Sequence, residues 1–176
     1  MFAAEPLDLV QIAVRRSAAD AFGAALAGMG LSAPPPGEVR SAGALDLLWL
    51  QPDTYMLVLP RNAPRSLDAL TPHAALVDQS DGRSAFTLSG PRARDVLAKG
   101  CRLDFHPRVF GPGRVTAGSF AHVTAVIQQL NRDRPAATSA GRGSPVPVDE
   151  PVFRIIVFSS FAQHIAEWLG HATVSA

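Results

Sequence analysis

The stretch Val77–Gly100 constrains the fold more than any other part of the chain, because it contains a turn, a strand and a helix in immediate succession. Asp81-Gly82 is a turn dipeptide, since glycine accepts a positive φ and aspartate can hydrogen-bond to its own backbone. After Arg83, the segment Ser84–Leu88 alternates polar and apolar residues, which predicts a strand with one buried face. Leu76–Gln79 is typical of the end of a preceding strand.

The strand leads into a predicted helix through Gly90-Pro91. Pro91 suits the first helical position, because a backbone N–H at that position has no acceptor within the helix and its absence costs nothing. Gly90 is expected to need a backbone conformation that β-branched residues resist, and Gly100 suits a left-handed stop at the far end of the helix. We therefore expect structural roles for Asp81, Gly82, Arg83, Gly90 and Pro91.

The remaining periodicity predicts two similar sets of elements. The first set is a strand at 7–14, a helix at 18–29 that Gly30 ends, strands at 44–50 and 55–59, a helix at 63–70 and a strand at 74–79. The second set is a strand at 84–88, a helix at 91–99, strands at 115–120, 122–130 and 152–158, and a helix at 161–169.

These sets predict an α+β fold of two interleaved ferredoxin-like βαββαβ halves, at about 7–80 and 84–172, within one domain of residues 1–176. Residues 1–6 are expected to be a loose terminus, and 32–43 a proline-stiffened loop. Residues 131–150 are rich in Arg, Pro, Gly and Ser, which predicts an exposed insertion.

Charge and composition exclude several classes of function. A net charge of +1 leaves no electrostatic footprint for nucleic acid. Cys101 is the single cysteine, so neither a disulfide framework nor a thiolate metal cluster can form within one chain. We find no apolar run that approaches a bilayer span and no secretory signal, which makes the cytoplasm the expected location.

A search for catalytic spacings predicts no catalytic, cofactor-binding or metal-binding residue in this chain. His164 and Glu167 lie three residues apart on a predicted helix, a spacing that favours a surface ion pair over a metal site. Cys101 and His106 show no feature that would activate a nucleophile. Asp78 is a possible acid–base carboxylate without an identified role.

An apolar loop is the candidate contact with another chain. Phe105, His106, Pro107 and Phe110 lie in a proline-stiffened segment, and such a segment on a surface lowers solubility unless something covers it. We predict that these four residues contact a partner subunit.

The run Asp81–Pro107, which includes Leu-Ser-Gly-Pro-Arg-Ala-Arg-Asp-Val-Leu, resembles the gamma subunit family of heterotetrameric sarcosine oxidase. Trp49–Asp53 is similar to a second family pattern, although Gln51 replaces a glycine there. The resemblance extends over roughly residues 45–170. It implies a fold similar to the folate-binding domain of the glycine-cleavage aminomethyltransferase.

The resemblance also implies a function. The chain would be a non-catalytic subunit that stabilises a complex, while partner subunits carry FAD, FMN, NAD and tetrahydrofolate. Those partners would be the alpha and beta subunits, with a zinc-bearing delta subunit as a further candidate. Two alternatives stay open. One is a folate-binding or one-carbon-transfer protein that acts alone, and the other is a homo-oligomer of this fold with a different function.

Overall fold

The computed structural model describes residues 1–63, 66–131 and 150–174. The strands are β1 Phe2–Glu5, β2 Leu7–Val14, β3 Val39–Ala42, β4 Leu45–Gln51, β5 Thr54–Pro60, β6 Ala74–Asp78, β7 Arg83–Ser89, β8 Val115–Phe120, β9 Val123–Gln129 and β10 Val152–Phe158. The α-helices are α1 Ala19–Gly28, α2 Ala93–Gly100 and α3 Ala162–Val174. Short 3₁₀ turns, Arg16–Ala18 and Ser159–Phe161, precede α1 and α3. No helix in these ranges is long and apolar enough to cross a membrane.

The chain divides into two compact units. The continuous unit is Leu7–Asp81, and the split unit combines Met1–Pro6 with Gly82–Ala176. Each unit contains one five-stranded sheet in which every neighbouring pair of strands is antiparallel.

The continuous unit has the strand order β3-β4-β5-β2-β6. Without the added edge strand β3, the strand order is that of a βαββαβ layout, in which the first and third strands lie at the centre. Turns at 68–73 stand where the second helix of that layout would be. Phe22 and Leu26 of α1 are buried against one face of this sheet, where Leu57 belongs to the same apolar cluster. Gly30 follows α1 with φ 72°, and Leu31 N donates to Leu26 O at 3.0 Å, which confirms the predicted glycine stop.

The split unit has the strand order β1-β7-β10-β9-β8, which matches the continuous unit position by position when that sheet is taken from β6 to β3. Helices α2 and α3 bury Leu97, Ile165 and Leu169 against β10 residues such as Ile155. The strand that corresponds to β6 is β1, which the chain forms before it enters the continuous unit. The predicted α+β class with interleaved halves is therefore confirmed, and a strand from the N-terminus produces the interleaving.

Three sequence predictions about elements were wrong. Residues 1–6 are not a loose terminus, because Phe2–Glu5 pairs with β7 over four residues. The predicted loop at 32–43 contains β3, which pairs with β4. The predicted helix at 63–70 is absent over the described residues 66–70, and turns occupy 68–73. In each case a short segment takes its conformation from a distant strand or turn and lacks a long periodic signal of its own.

The predicted insertion at 131–150 lies outside the described residues except at its two ends.

The helix after β7 begins later and ends differently than its sequence predicts. Gly90 has φ 121°, which confirms a backbone conformation that favours glycine, but α2 starts at Ala93 rather than Pro91. Gly100 is the last residue of α2 and is followed by extended Cys101, so it is not a left-handed stop. Its requirement is space, because a Cβ there would lie 2.7 Å from Phe120 and 2.8 Å from Trp168.

A buried ion pair connects β1 to β10. Arg154 donates from Nε to Glu5 Oε2 at 2.8 Å and from Nη2 to Glu5 Oε1 at 2.6 Å, a bidentate arrangement. Its Nη1 donates to Gln128 Oε1 of β9 at 3.0 Å. Both charged side chains are 1% exposed. Because a buried charge needs such complete partnering, the pair makes β1 an essential part of this sheet.

We expect Glu5→Gln to lower the free energy of unfolding by about 3–5 kcal/mol, because it leaves the Arg154 guanidinium buried without a counter-charge. Chemical denaturation followed by circular dichroism measures this. The double variant Glu5→Met with Arg154→Met removes both charges and is expected to recover most of the loss. Equal stability of Glu5→Gln and the native chain would contradict the role of the pair.

We expect Gly100→Ala to lower the free energy of unfolding by about 1–3 kcal/mol, because the new methyl group must displace two aromatic rings of the core. Gly170→Ala in α3 is the matched control, since a Cβ there meets nothing within 4 Å. That control is expected to raise stability by about 0.4–1 kcal/mol through lower entropy of the unfolded chain. The same denaturation experiment compares the two, and a stabilising Gly100→Ala would contradict the close approach.

Candidate partner-binding surface of the split unit

A single arginine holds the loop between α2 and β8. Arg94 donates from Nη1 to the carbonyl oxygens of Phe105 and Phe110, the latter at 2.9 Å. Its Nη2 donates to Gln129 Oε1 at 2.9 Å, and the guanidinium carbon lies 5.2 Å from the centre of the Phe153 ring. The planar, forked guanidinium therefore joins the loop to the helix and to β9 at once.

Two residues of the predicted subunit contact belong to the core. Phe105 and Phe110 are each 4% exposed, and their ring centroids lie 5.3 Å apart in an edge-to-face arrangement. Phe105 also meets Phe153 at 6.1 Å. The expectation that these rings form an apolar surface was wrong, because the loop folds back so that its aromatic residues fill the space beside β10.

The rest of the predicted contact is exposed. His106 and Pro107 lie on the surface, next to Val109, which is 55% exposed. Asp104 Oδ1 accepts from His106 N at 2.8 Å, which stabilises the turn of the backbone at this point. Partner contact at this tip stays a prediction, and it now depends on His106 and Pro107 alone.

The turn motif before β7 is present, although the strands on its two sides belong to different sheets. The turn occupies Ser80–Gly82, and Asp81 accepts from Arg61 Nη2 at 2.8 Å. Gly82 O accepts from Ser159 N at 3.0 Å, and Gly90 O accepts from Ala93 N at 3.1 Å. The hydrogen bond from Ser159 joins the start of β7 to the 3₁₀ turn that precedes α3.

Arg83 is a motif residue whose guanidinium is only partly supplied with contacts. Its guanidinium carbon lies 4.3 Å from the ring centre of Phe158, its register partner on β10. The Nε atom is buried and has no hydrogen-bond partner. Burial lowers the pKa of Arg83 from its usual value because water is removed from the charged form. Phe158 is 40% exposed, and Phe161, three residues later in the chain, is 42% exposed.

The candidate catalytic residues are not brought together in the part of the chain that the structure describes. His164 Nε2 lies 3.0 Å from Ala121 O, and Glu167 accepts from Gln163 at 2.9 Å, so the predicted ion pair between them is wrong. Asp78 Oδ1 accepts from the backbone N–H of Ser80 at 2.9 Å. Across residues 1–63, 66–131 and 150–174 we find no cluster of three or more metal-ligating side chains.

Comparison with known proteins decides the family. Residues 14–138 match the profile of the sarcosine oxidase, gamma subunit family. The gamma subunit of sarcosine oxidase from Corynebacterium sp. (strain U-96) is 31% identical over 162 residues, which cover 89% of this chain and 70% of that one. The chain belongs to the sarcosine oxidase gamma subunit family.

Further relatives and solved structures agree with this membership. The gamma subunit from an Arthrobacter species is 35% identical over 124 residues, which cover 66% of this chain and 61% of that one. A chain of the heterotetrameric sarcosine oxidase from Corynebacterium sp. U-96 superposes with a TM-score of 0.77 at 26% identity, covering 99% of this chain and 84% of that one.

The fold is also shared with a second solved structure. Aminomethyltransferase T from Bartonella henselae superposes with a TM-score of 0.62 at 17% identity, and the superposition covers 96% of this chain and 44% of that one.

Sequence reasoning missed the contacts that two arginines of the split unit make. Arg94 lies off the apolar stripe of α2, so its helical position predicts exposure to solvent, and only the fold brings two carbonyl groups to it. Arg83 was expected to be part of a turn motif, whereas its distinguishing property is an aromatic neighbour on a strand 75 positions later. Neither contact leaves a local sequence signal, because strand pairing places Phe158 beside Arg83 and the folding of the loop places two carbonyl groups beside Arg94.

We expect Arg94→Met to lower the free energy of unfolding by about 2 kcal/mol or more, because buried carbonyl oxygens of the loop lose a charged donor. Limited proteolysis should then cut the loop at 101–114 faster. Arg92→Met is the matched control, since Arg92 is exposed on the same helix end and is expected to behave like the native chain. Unchanged proteolysis of the Arg94 variant would show that the loop is held by its aromatic residues alone.

Proposed function

We propose that this chain is the gamma subunit of a heterotetrameric sarcosine oxidase and that its role there is structural. The observation that supports the proposal is the superposition over 99% of the chain on a chain of such a complex, together with 31% identity to a gamma subunit. The complex would oxidatively demethylate sarcosine and pass the one-carbon unit to tetrahydrofolate.

The polar groups inside the split unit support a structural role. Arg154 is paired with Glu5 and bonded to Gln128, and Arg94 is bonded to loop carbonyls and to Gln129. Each of these buried or half-buried side chains is hydrogen-bonded to other groups of the same chain. A catalytic centre instead needs polar groups with perturbed protonation that converge on an accessible cleft.

The partners in this proposal are the larger alpha and beta subunits in the cytoplasm, with a delta subunit as a further candidate. FAD, FMN, NAD and tetrahydrofolate would be bound by those partners. The gamma chain would add to the stability of the assembly, because a subunit that binds the folded state of its partners raises their apparent stability.

Affinity purification of the tagged chain from its own host tests the assignment. A yellow eluate, with larger chains in equal amounts and a flavin absorption spectrum, is the expected result. The tag expressed alone is the control. Colourless protein of one size would contradict the assignment and favour a stand-alone folate-binding protein or a homo-oligomer, which tetrahydrofolate titration would then distinguish.

Preparation of the same complex without this chain tests the structural role. We expect the remaining subunits to lose thermal stability while sarcosine turnover per bound flavin is retained. Loss of turnover at unchanged stability would instead show that the gamma chain takes part in the chemistry.

A further inference from the structure

A small aromatic and cationic surface lies where the end of β10 meets the start of β7. We define the Arg83 surface as Arg83, Phe158 and Phe161. Phe158 ends β10, and Phe161 follows three residues later on the 3₁₀ turn. A hydrogen bond between Ser84 Oγ and Ser159 Oγ, at 3.2 Å, fastens that turn to β7. The surface is therefore built on paired elements rather than on a free loop.

The position of the Arg83 guanidinium is fixed before any ligand arrives. Strand pairing places Arg83 opposite Phe158, and the guanidinium lies over the ring at 4.3 Å. A stacked arginine loses little further side-chain freedom when it binds an anion, and its planar fork matches the geometry of a carboxylate. Because Nε is enclosed, the exposed approach to the group is toward its terminal Nη atoms.

Other buried or half-buried arginines in the described residues have acceptors, and Arg83 does not. Arg154 pairs with Glu5, Arg40 pairs with Glu38, and Arg94 bonds to backbone carbonyls. A half-buried cation without an acceptor is unfavourable in the free chain, and an added carboxylate would relieve that cost. The charge thus favours an acidic ligand, and the two exposed rings favour an apolar neighbour beside it.

We propose that the Arg83 surface binds a segment of another subunit of the oxidase complex that presents an aspartate or glutamate carboxylate next to an apolar side chain. The carboxylate accepts hydrogen bonds from the Nη atoms of Arg83, and the apolar side chain packs on Phe158 and Phe161. Arginine and aromatic residues are enriched among the residues that dominate binding energy at protein interfaces. This inference rests on the proposed function, since it requires a partner subunit.

The test is competition between gamma chains during assembly. A tagged variant and an untagged native gamma chain are co-expressed in equal amounts with the other subunits, and intact mass spectrometry of the purified complex gives their ratio. Arg83→Met keeps the stem of the side chain over Phe158 and removes both the charge and the unpartnered Nε. Arg102→Met is the matched control, because Arg102 is an exposed arginine of the same unit.

We expect Arg83→Met to enter the complex about thirtyfold less well than the native chain, the loss typical of removing one partner of an enclosed charge pair. Arg102→Met should enter as well as the native chain. Thermal unfolding of the Arg83→Met chain alone is expected at the same or a higher temperature, because an unsatisfied buried N–H is removed. Phe161→Ser should also reduce entry into the complex. Unchanged entry would show that Phe161 faces solvent in the complex and contacts no partner.

Three outcomes would overturn the inference without refuting the proposed function. The first is equal incorporation of Arg83→Met and the native chain, which leaves the proposed function intact. The second is a drop in stability of the Arg83→Met chain that parallels its loss of incorporation, which would indicate a structural contact only. The third is self-association of the native chain that Arg83→Met abolishes, which would make a second copy the occupant. Failure of even the native tagged chain to enter any complex would refute the proposed function together with the inference.

Discussion

The buried pair between Glu5 and Arg154 is the interaction on which the split unit depends. The two residues are 149 positions apart, and the entire continuous unit lies between them in the chain. Desolvation of two charges is costly, so the pair is tolerable only with bidentate geometry and the additional bond to Gln128. That requirement specifies which strand may occupy the edge next to β7, since an uncharged segment would leave Arg154 unpaired. The N-terminus is thereby an integral part of a sheet formed mainly by the second half of the chain.

The same strand order in both sheets shows how a short chain forms two α+β units. In each unit the central pair consists of the first and third strands of the layout, β2 with β5 and β7 with β10. The continuous unit supplies its own fourth strand, β6, whereas the split unit takes β1 from before the first unit begins. A member of the sarcosine oxidase gamma subunit family thus has the fold seen in an aminomethyltransferase, while the polar side chains that its sheet buries are engaged with one another.

The candidate surface could be predicted only in part. The turn before β7 and the glycine at position 90 were readable, because turn chemistry is local. The aromatic residues Phe105 and Phe110 were correctly identified as apolar and wrongly placed on the surface, since nothing in the loop sequence indicates that Arg94 holds its backbone against the core. The unpartnered guanidinium of Arg83 could not be predicted at all, because its environment is formed by strand pairing.

By itself, the sequence determined the types of the longer helices and strands, the α+β class and the family resemblance. Periodicity, turn dipeptides and motif residues act over a few neighbouring positions, so they can be recognised without the fold. Tertiary structure alone decided that residues 2–5 form a strand, that Gly100 is required for space rather than for its φ, and that Arg154 has its counter-charge at Glu5. The physical reason is distance along the chain. Each of these features is created by groups that the fold brings together from remote positions, and neither partner carries a local pattern that specifies the other.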